Sequence, residues 1–448
     1  MKHIIVIGGG PAGIEAARTA VLAGQKVTLV SDAPVGGRAG WHSLLPSKVW
    51  LTAADTLGLM AETQELGIQT QNSTIDRQQV LARVKQVKAV WNQNQEAELA
   101  ALGVELVMGL ASFTDPDSVD LHNADGALLQ TLQADAFIVT TGSVPRFPPK
   151  LKPDGRRVIA PRFASHLKNL PPSMVVIGAG PTGCEFAYLF NRVGVEVTWI
   201  VDEMGVLPQM YPDVGKALGL ALVRQGVRMV QGQFVDSIER TDAHITTVLQ
   251  DGARYAAEMA FVAVGRLPDV ERLNLAAAGV ESIIGRIGVD GYGRCPTNHK
   301  IYCAGDVDGG WMVANKAMAQ ARIAAKHAAN VSTAPYNPNS IVLATYTEPQ
   351  AAQVGMVNFV DGVGRVRMPY SASLKTHLLP EGEGFVELTY RESDRRLLGG
   401  LAVGPHAADL LTAVALAIHL EADIDTLADM FPAHPTLSEL AFIAARNA

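Results

Sequence analysis

The chain has 448 residues, 48% of them hydrophobic and 18% charged, with a net charge of −7. That length exceeds one ordinary domain, and the apolar content suffices for large buried cores, which excludes a disordered chain. An acidic balance with no Lys/Arg run argues against a nucleic-acid partner, and no apolar stretch of about 18 residues offers a membrane insertion.

Ile4 to Ile7 is a short β-branched run that reads as a buried parallel strand. It enters Gly8-x-Gly10-x-x-Gly13 and an alanine-rich helix from Ile14 to Ala23, after which Gly24 stops the helix and Val27 to Val30 forms a second strand. The first glycine makes the tight turn, the second admits a pyrophosphate to the backbone, and the third lets helix and strand approach. The helix N-terminus turns free N–H groups and a positive dipole end toward the phosphates. Ile75 to Leu102 reads as a long amphipathic helix with Val80, Val84, Val87 and Val90 on one face. A strand at Val104 to Met108, a β-ribbon through Gln133 and a strand from Asp135 to Thr141 follow, and Pro145 to Pro149 marks an exit.

The opening unit then recurs. Met174 to Ile177 leads into Gly178-x-Gly180-x-x-Gly183, a helix through Val193, and a strand from Glu196 to Val201. One such fingerprint is weak, but two in strand–turn–helix–strand context point to two dinucleotide sites. That pairing suits a protein moving electrons between FAD and NAD(P)H. An acidic ribose ligand is expected at the end of each second strand. Those places hold Ser31 and Val201, with Asp32 and Asp202 one residue further on. No arginine in 201–204 meets a 2′-phosphate, so NADH is favoured over NADPH. Past Ala334-Pro335, strand-like segments (Ile341 to Tyr346, Phe385 to Tyr390, Leu397 to Val403) alternate with a helix from Ala407 to Leu420.

Ordered motifs give a family. Gly36-Gly37, Pro46-Ser47-Lys48, Thr140-Thr141-Gly142-Ser143-x-Pro145 and Gly178 to Glu185 come first. Val264-Gly265-Arg266-x-Pro268, Ala304-Gly305-Asp306, Thr347-Glu348-Pro349 and His434-Pro435-Thr436-Leu437-Ser438-Glu439 follow. With these the chain resembles, nearly end to end, the flavin disulfide reductases, the family of glutathione reductase and dihydrolipoamide dehydrogenase. The resemblance implies an α/β fold of two Rossmann-like dinucleotide-binding domains and a C-terminal α+β dimerisation domain. The FAD domain would be 1–149 with 269–334, the NAD(P) domain 150–268 and the dimerisation domain 335–448, in a homodimer. It implies cofactor contacts at Gly8, Gly10, Gly13, Gly37, Gly142, Gly305 and Asp306 for FAD. For the nicotinamide nucleotide it implies Gly178, Gly180, Gly183, Gly265 and Arg266. Lys48 and Glu185 match the family's ion pair beside flavin N5, and Pro181 stands where glutathione reductase has a gating tyrosine. His434 and Glu439 match a pair that the partner subunit supplies as acid–base catalyst for the dithiol. Here they would serve proton transfer to another acceptor or dimer structure alone.

One departure decides the expected chemistry. The family carries its dithiol on a helix Gly-Gly-Thr-Cys-x-x-x-x-Cys-x-Pro-Ser-Lys, and Ala39 and Leu44 occupy the two cysteine positions. Neither side chain forms a thiolate or a mixed disulfide, so disulfide reduction by the family mechanism is not expected. Trp41 and His42 lie between them, where they would either meet an acceptor by stacking and hydrogen bonding or simply pack. Cys184 and Cys303 read as small buried residues, and Cys295 as a loop residue with no evident partner. With no CxxC and no even framework of cysteines, a reducing, cytoplasmic setting is expected, and no metal site. The expectation is a FAD-dependent NAD(P)H oxidoreductase passing electrons to a small-molecule acceptor, a quinone by resemblance to cysteine-deficient members. A soluble transhydrogenase, a redox-idle FAD scaffold and an electron-transfer partner for another protein are the alternatives.

Overall fold

The first glycine turn leaves the middle strand of a five-stranded parallel sheet. Its order is Ile301–Cys303, Ala136–Val139, His3–Ile7, Lys26–Ser31 and Glu105–Met108. Ile5 lies between Thr28 on one side and Phe137 on the other. His3–Ile7 is thus where the strand order reverses, the switch point at which open α/β sheets receive ligands. Ile4, Ile5 and Val6 are fully buried, as an unbroken β-branched run covered on both faces requires. The computed structural model describes residues 1–70, 73–166, 169–283, 285–358, 360–380 and 382–448.

Helix α1 (Pro11–Leu22) shares one core with the sheet and with helix Ala314–Ala328 through Ala16, Ala17, Ala20, Ala321, Ala324 and Ala325. Alanines leave nothing beyond Cβ between two helices, so they lie close. The other sheet face is covered by a three-stranded antiparallel ribbon, Leu110–Asp115, Ser118–His122 and Leu128–Gln133. Phe113 meets Phe137 edge-on there at 5.2 Å.

Between Gly36 and Lys48 the structure has two helices where the sequence pattern suggested one: α2 (Gly37–Trp41) and α3 (Leu44–Glu62). Pro46 explains the break. It has no N–H for the carbonyl of His42, and its ring crowds that carbonyl, which favours a kink or break within the turn before it, and here the helix restarts at Leu44. Helix α4 (Arg77–Ala101) covers the expected stretch but buries Val84, Asn92 and Leu99, while Val90 is 51% exposed. Of the valine stripe Val84 alone is buried, and the buried face continues through Asn92 and Leu99.

A second parallel sheet runs Arg228–Gln231, Glu196–Val201, Ser173–Ile177, Met259–Val262 and Val158–Ile159. Helix α5 (Pro181–Arg192) follows its glycine turn, with Phe186 stacked on Phe261 at 4.2 Å. The C-terminal part is an antiparallel sheet ordered Leu343–Thr345, Gln350–Gly355, Leu397–Gly404, Phe385–Arg391 and Val363–Pro369. Helix Ala407–His419 contributes to the same core. By contacts the chain forms two units, Met1–Pro46 with Arg83–Arg146 and Arg266–Tyr336, and Ser47–Ala82 with Phe147–Gly265 and Asn337–Ala448. Residues 47–82, assigned by sequence to the FAD domain, group with the second unit. That unit also holds the span expected for NAD(P) up to Gly265 and the C-terminal one from Asn337.

Candidate active site

The two glycine turns are built alike. Gly8 and Gly178 have φ of +115° and +107°, open to glycine alone, and a Cβ at either would strike the carbonyl of Thr140 or Ala263. A Cβ at Gly13 or Gly183 would run into the carbonyl of Gly8 or Gly178. The middle glycines differ: a Cβ at Gly10 or Gly180 would meet no atom within 4 Å. Each middle glycine therefore faces open space at the N-terminus of a 12-residue helix. The residues present fit a dinucleotide diphosphate at each turn. The Gly36-Gly37 segment lies against the first turn, Gly36 N donating to Gly9 O at 2.8 Å. A Cβ at Gly37 would come within 2.8 Å of Gly10 Cα.

At the strand ends, Ser31 Oγ donates to Ala33 O at 2.7 Å, and Asp32 accepts from Arg272 at 2.9 Å. Asp202 Oδ1 accepts from Met204 N at 2.9 Å and so caps its own turn.

Downstream of Gly142 in the first unit, Ser143–Pro145 pairs antiparallel with Arg266–Pro268. Arg266 donates to Ser143 Oγ at 2.7 Å and to Ser143 O at 2.8 Å, and the Ser143 hydroxyl donates to Asp306. Burial, countered by Asp306, lowers the Arg266 pKa from its ordinary value. Arg266, expected near the nicotinamide nucleotide, is thus gathered with Asp306. Arg38, unremarked in the sequence, donates to Thr141 O at 3.1 Å and pairs with Asp269. The loop after Gly305 is clamped from helix Ala314–Ala328. Lys316, buried, donates to Asp308 at 2.5 Å and to Gly309 O at 2.7 Å, and Gln320 accepts from Gly305 N at 3.0 Å.

Ala39 sits on α2, His42 caps it, and Leu44 opens α3. Trp41 donates its indole N–H to Val35 O at 2.9 Å, with the Lys88 ammonium 5.7 Å from its ring. His42 and Leu44 are exposed. A Cβ at Gly36 or Gly40 would strike the buried amide of Asn92, which explains two glycines that the phosphate reading did not.

In the second unit, Lys48 of α3 donates to Glu185 Oε1 of α5 at 2.7 Å. The Glu185 side chain is only 9% exposed. The same oxygen accepts Tyr346 N at 3.1 Å, and the Tyr346 ring centroid lies 4.5 Å from the Lys48 ammonium. His434 Nδ1 is 2.8 Å from Glu439 Oε1, whose other oxygen accepts Thr436 N at 2.9 Å. Burial pulls the Glu439 carboxyl upward, but the Thr436 N–H and His434 outweigh it and hold the carboxyl below its ordinary value.

The cysteines correct one expectation. Cys295 has a neighbour: its sulfur is 3.9 Å from that of Cys303, both fully buried in the first unit. Burial also pushes the Cys184 and Cys303 thiols well up. Among the described residues no helix is long and apolar enough to cross a membrane, and no group of His, Cys, Asp or Glu is assembled to hold a metal ion.

Two parallel sheets, each with a dinucleotide turn, followed by an antiparallel C-terminal sheet, define a flavin- and pyridine-nucleotide-dependent oxidoreductase. The chain belongs to the pyridine nucleotide-disulphide oxidoreductase family, whose model matches residues 2–321, with its dimerisation domain matching 341–444. Family members bind FAD and NAD(P)H. A dihydrolipoyl dehydrogenase of Chlorobaculum tepidum is 32% identical over 99% of this chain and 96% of its own length. An NAD(P)H dehydrogenase (quinone) of Mycobacterium tuberculosis is 29% identical over 100% of this chain and 94% of its own. The crystal structure of LpdA from Mycobacterium tuberculosis superposes with a TM-score of 0.94 at 28% identity, covering 100% of this chain and 99% of that one.

Proposed function

We propose that this protein is a homodimeric NAD(P)H oxidoreductase that delivers electrons from FAD directly to a small acceptor, a quinone, without a redox disulfide, and that it prefers NADH. The observation that carries this reading is a paired Lys48–Glu185 at 2.7 Å in a chain with alanine and leucine at positions 39 and 44. When bound, the flavin supplies a two-electron carrier between nucleotide and acceptor.

The chain's own residues bind, orient and balance charge. Gly8, Gly10 and Gly13 with Gly37 would hold the FAD diphosphate, and Ser143, Arg266 and Asp306 its ribitol side. Gly142, Gly305 and Asp32 complete that set. Gly178, Gly180, Gly183, Asp202 and Gly265 would hold the nicotinamide nucleotide. Lys48, oriented by Glu185, is the cation that offsets the negative charge arriving with hydride. Ala39, Trp41, His42 and Leu44 would border the acceptor, and His434, held by Glu439, would deliver a proton to the reduced acceptor. A quinone needs such a proton and no thiol. The M. tuberculosis relative named as a quinone dehydrogenase supports the acceptor class. Three buried free thiols suit a cytoplasmic, reducing compartment.

The test is an anaerobic titration of the purified holoenzyme with NADH and then NADPH, following flavin absorbance, with quinone added afterwards. Bleaching by one equivalent of NADH and reoxidation by quinone is the expected result. Uptake of two further electrons, or no bleaching with either nucleotide, refutes it.

A further inference from the structure

Lys48 has a second neighbour besides its carboxylate. Tyr346 follows strand Leu343–Thr345, and its backbone N–H turns out of that sheet to donate to Glu185 Oε1 at 3.1 Å, the same oxygen that receives Lys48. Its ring centroid stands 4.5 Å from the Lys48 ammonium, inside the range in which a cation is drawn to an aromatic face. Thr345 and Thr347, on either side, are fully or nearly fully buried, and Thr347 Oγ1 donates to Pro349 O at 2.6 Å. The flanks fix the backbone, while Tyr346 as a residue is 42% exposed. A bulky apolar ring left that open adds little to a core. Its placement is accounted for by what it faces, which is the ammonium.

We infer that Tyr346 is a positioning residue for the Lys48–Glu185 pair, its backbone N–H orienting the carboxylate and its ring holding the ammonium in register with it. A lysine on a four-carbon stem has many rotamers, and one carboxylate oxygen alone selects poorly among them. Glu185 fixes the ammonium from one side and the Tyr346 ring from another. Pro181 offers no aromatic group at the second glycine turn, and the one that reaches this pair comes from the C-terminal domain. The interaction is electrostatic attraction to the ring face, so the hydroxyl is dispensable and phenylalanine should serve.

The inference rests on the proposed role of Lys48, and a double-mutant cycle on the FAD-loaded protein separates the two. Tyr346→Leu keeps an apolar side chain and the backbone N–H but loses the π face, whereas Tyr346→Phe keeps all three. In stopped-flow reduction by NADH, Tyr346→Leu should lower the limiting rate roughly two- to thirty-fold, the range of a cation–π contact, with the nucleotide Kd unchanged. Tyr346→Phe should stay within about twofold of the unaltered protein. In a Lys48→Met background Tyr346→Leu should cost nothing further, because its target is gone. Tyr346→Leu at the unaltered rate, or an equal loss with and without Lys48, overturns the inference. If neither nucleotide reduces the unaltered protein, the proposed function fails instead. The same four proteins then decide the inference by urea unfolding, where coupling between the positions supports it and strict additivity overturns it.

Discussion

Alanine at the two middle glycines should separate the two cofactors. Gly10 has φ −80° and ψ −174°, a conformation alanine adopts freely, and its Cβ would meet no atom within 4 Å. Gly180, at φ −70° and ψ 178°, is equivalent. Removing glycine's excess freedom in the unfolded chain gains about 0.4–1 kcal/mol, and alanine's poorer standing as an N-cap loses about as much. The apoprotein should keep its stability within about 0.5 kcal/mol. The bound diphosphate is affected differently. A methyl group at the point of closest backbone approach moves a phosphate out by about 1 Å, which forfeits charge-assisted bonds worth about 1.5–3 kcal/mol each. Loss of one or two such bonds weakens binding at least roughly tenfold and up to roughly twenty-thousandfold. Gly10→Ala should therefore purify depleted in FAD, measured as the 450/280 nm absorbance ratio and by calorimetry with FAD. Gly180→Ala should purify fully yellow and need far more NADH for reduction. Gly13→Ala is the contrasting control, since its Cβ would run into the Gly8 carbonyl and the fold itself should suffer. Full FAD affinity in Gly10→Ala, or FAD loss in Gly180→Ala, would refute the assignment of the turns.

Further tests address charge. Lys48→Met should slow flavin reduction by NADH roughly a hundredfold while leaving FAD content intact, since it removes a cation placed for developing charge. Lys316→Met strands Asp308 beside a buried site and should cost about 3–5 kcal/mol, read as a lower urea midpoint. Pairing it with Asp308→Asn should recover part of that loss. His3 and His327 both have pKa values lowered from 6.5, chiefly by burial. A histidine held neutral in the fold contributes its full stability above the unfolded value. That contribution is lost as pH falls from about 6.5 through the lower folded value. Thermal scans should show stability falling over that interval, and His3→Gln should flatten the fall.

Which features were readable in advance follows from where their causes lie. The strand Glu196–Val201 agrees with the expected bounds, and the helix after Gly178 differs only at its ends, because β-branching and glycine stops are local signals. Four of the six fingerprint glycines, Gly8, Gly13, Gly178 and Gly183, were legible for the same reason: each answers a backbone requirement set by residues a few positions away or by the adjacent strand. Gly10 and Gly180 face open space and were legible from the motif alone. The expected strand from Ile341 to Tyr346 shortens to Leu343–Thr345, and its end has a distant cause, since Tyr346 N turns to Glu185. The strand Val363–Pro369 has no counterpart among the expected elements, although Val366 and Met368 alternate with Arg365 and Arg367. Those arginines pair with Glu387, which is fully buried on the neighbouring strand, so an apolar-in, polar-out reading misjudges them.

Partners chosen by the fold left no mark on spacing. Arg38 meets Asp269, Cys295 faces Cys303, and Asn92 fills the space over Gly36 and Gly40, and no local pattern couples these positions. The break between α2 and α3 belongs to the other category. Pro46 forbids the helical bond to His42 in any structure this segment adopts. In this structure Ala39 and Leu44 belong to separate helices, and the missing bond at Pro46 is the local feature that favours a break or kink there. The consequence reaches the proposed chemistry. Residues 39 and 44 are not fixed by a common helix, so an acceptor bordered by both depends on how the Trp41–Ser43 segment holds the two helix ends. Trp41, tied to Val35 O and facing Lys88, is the residue that fixes the first of those ends.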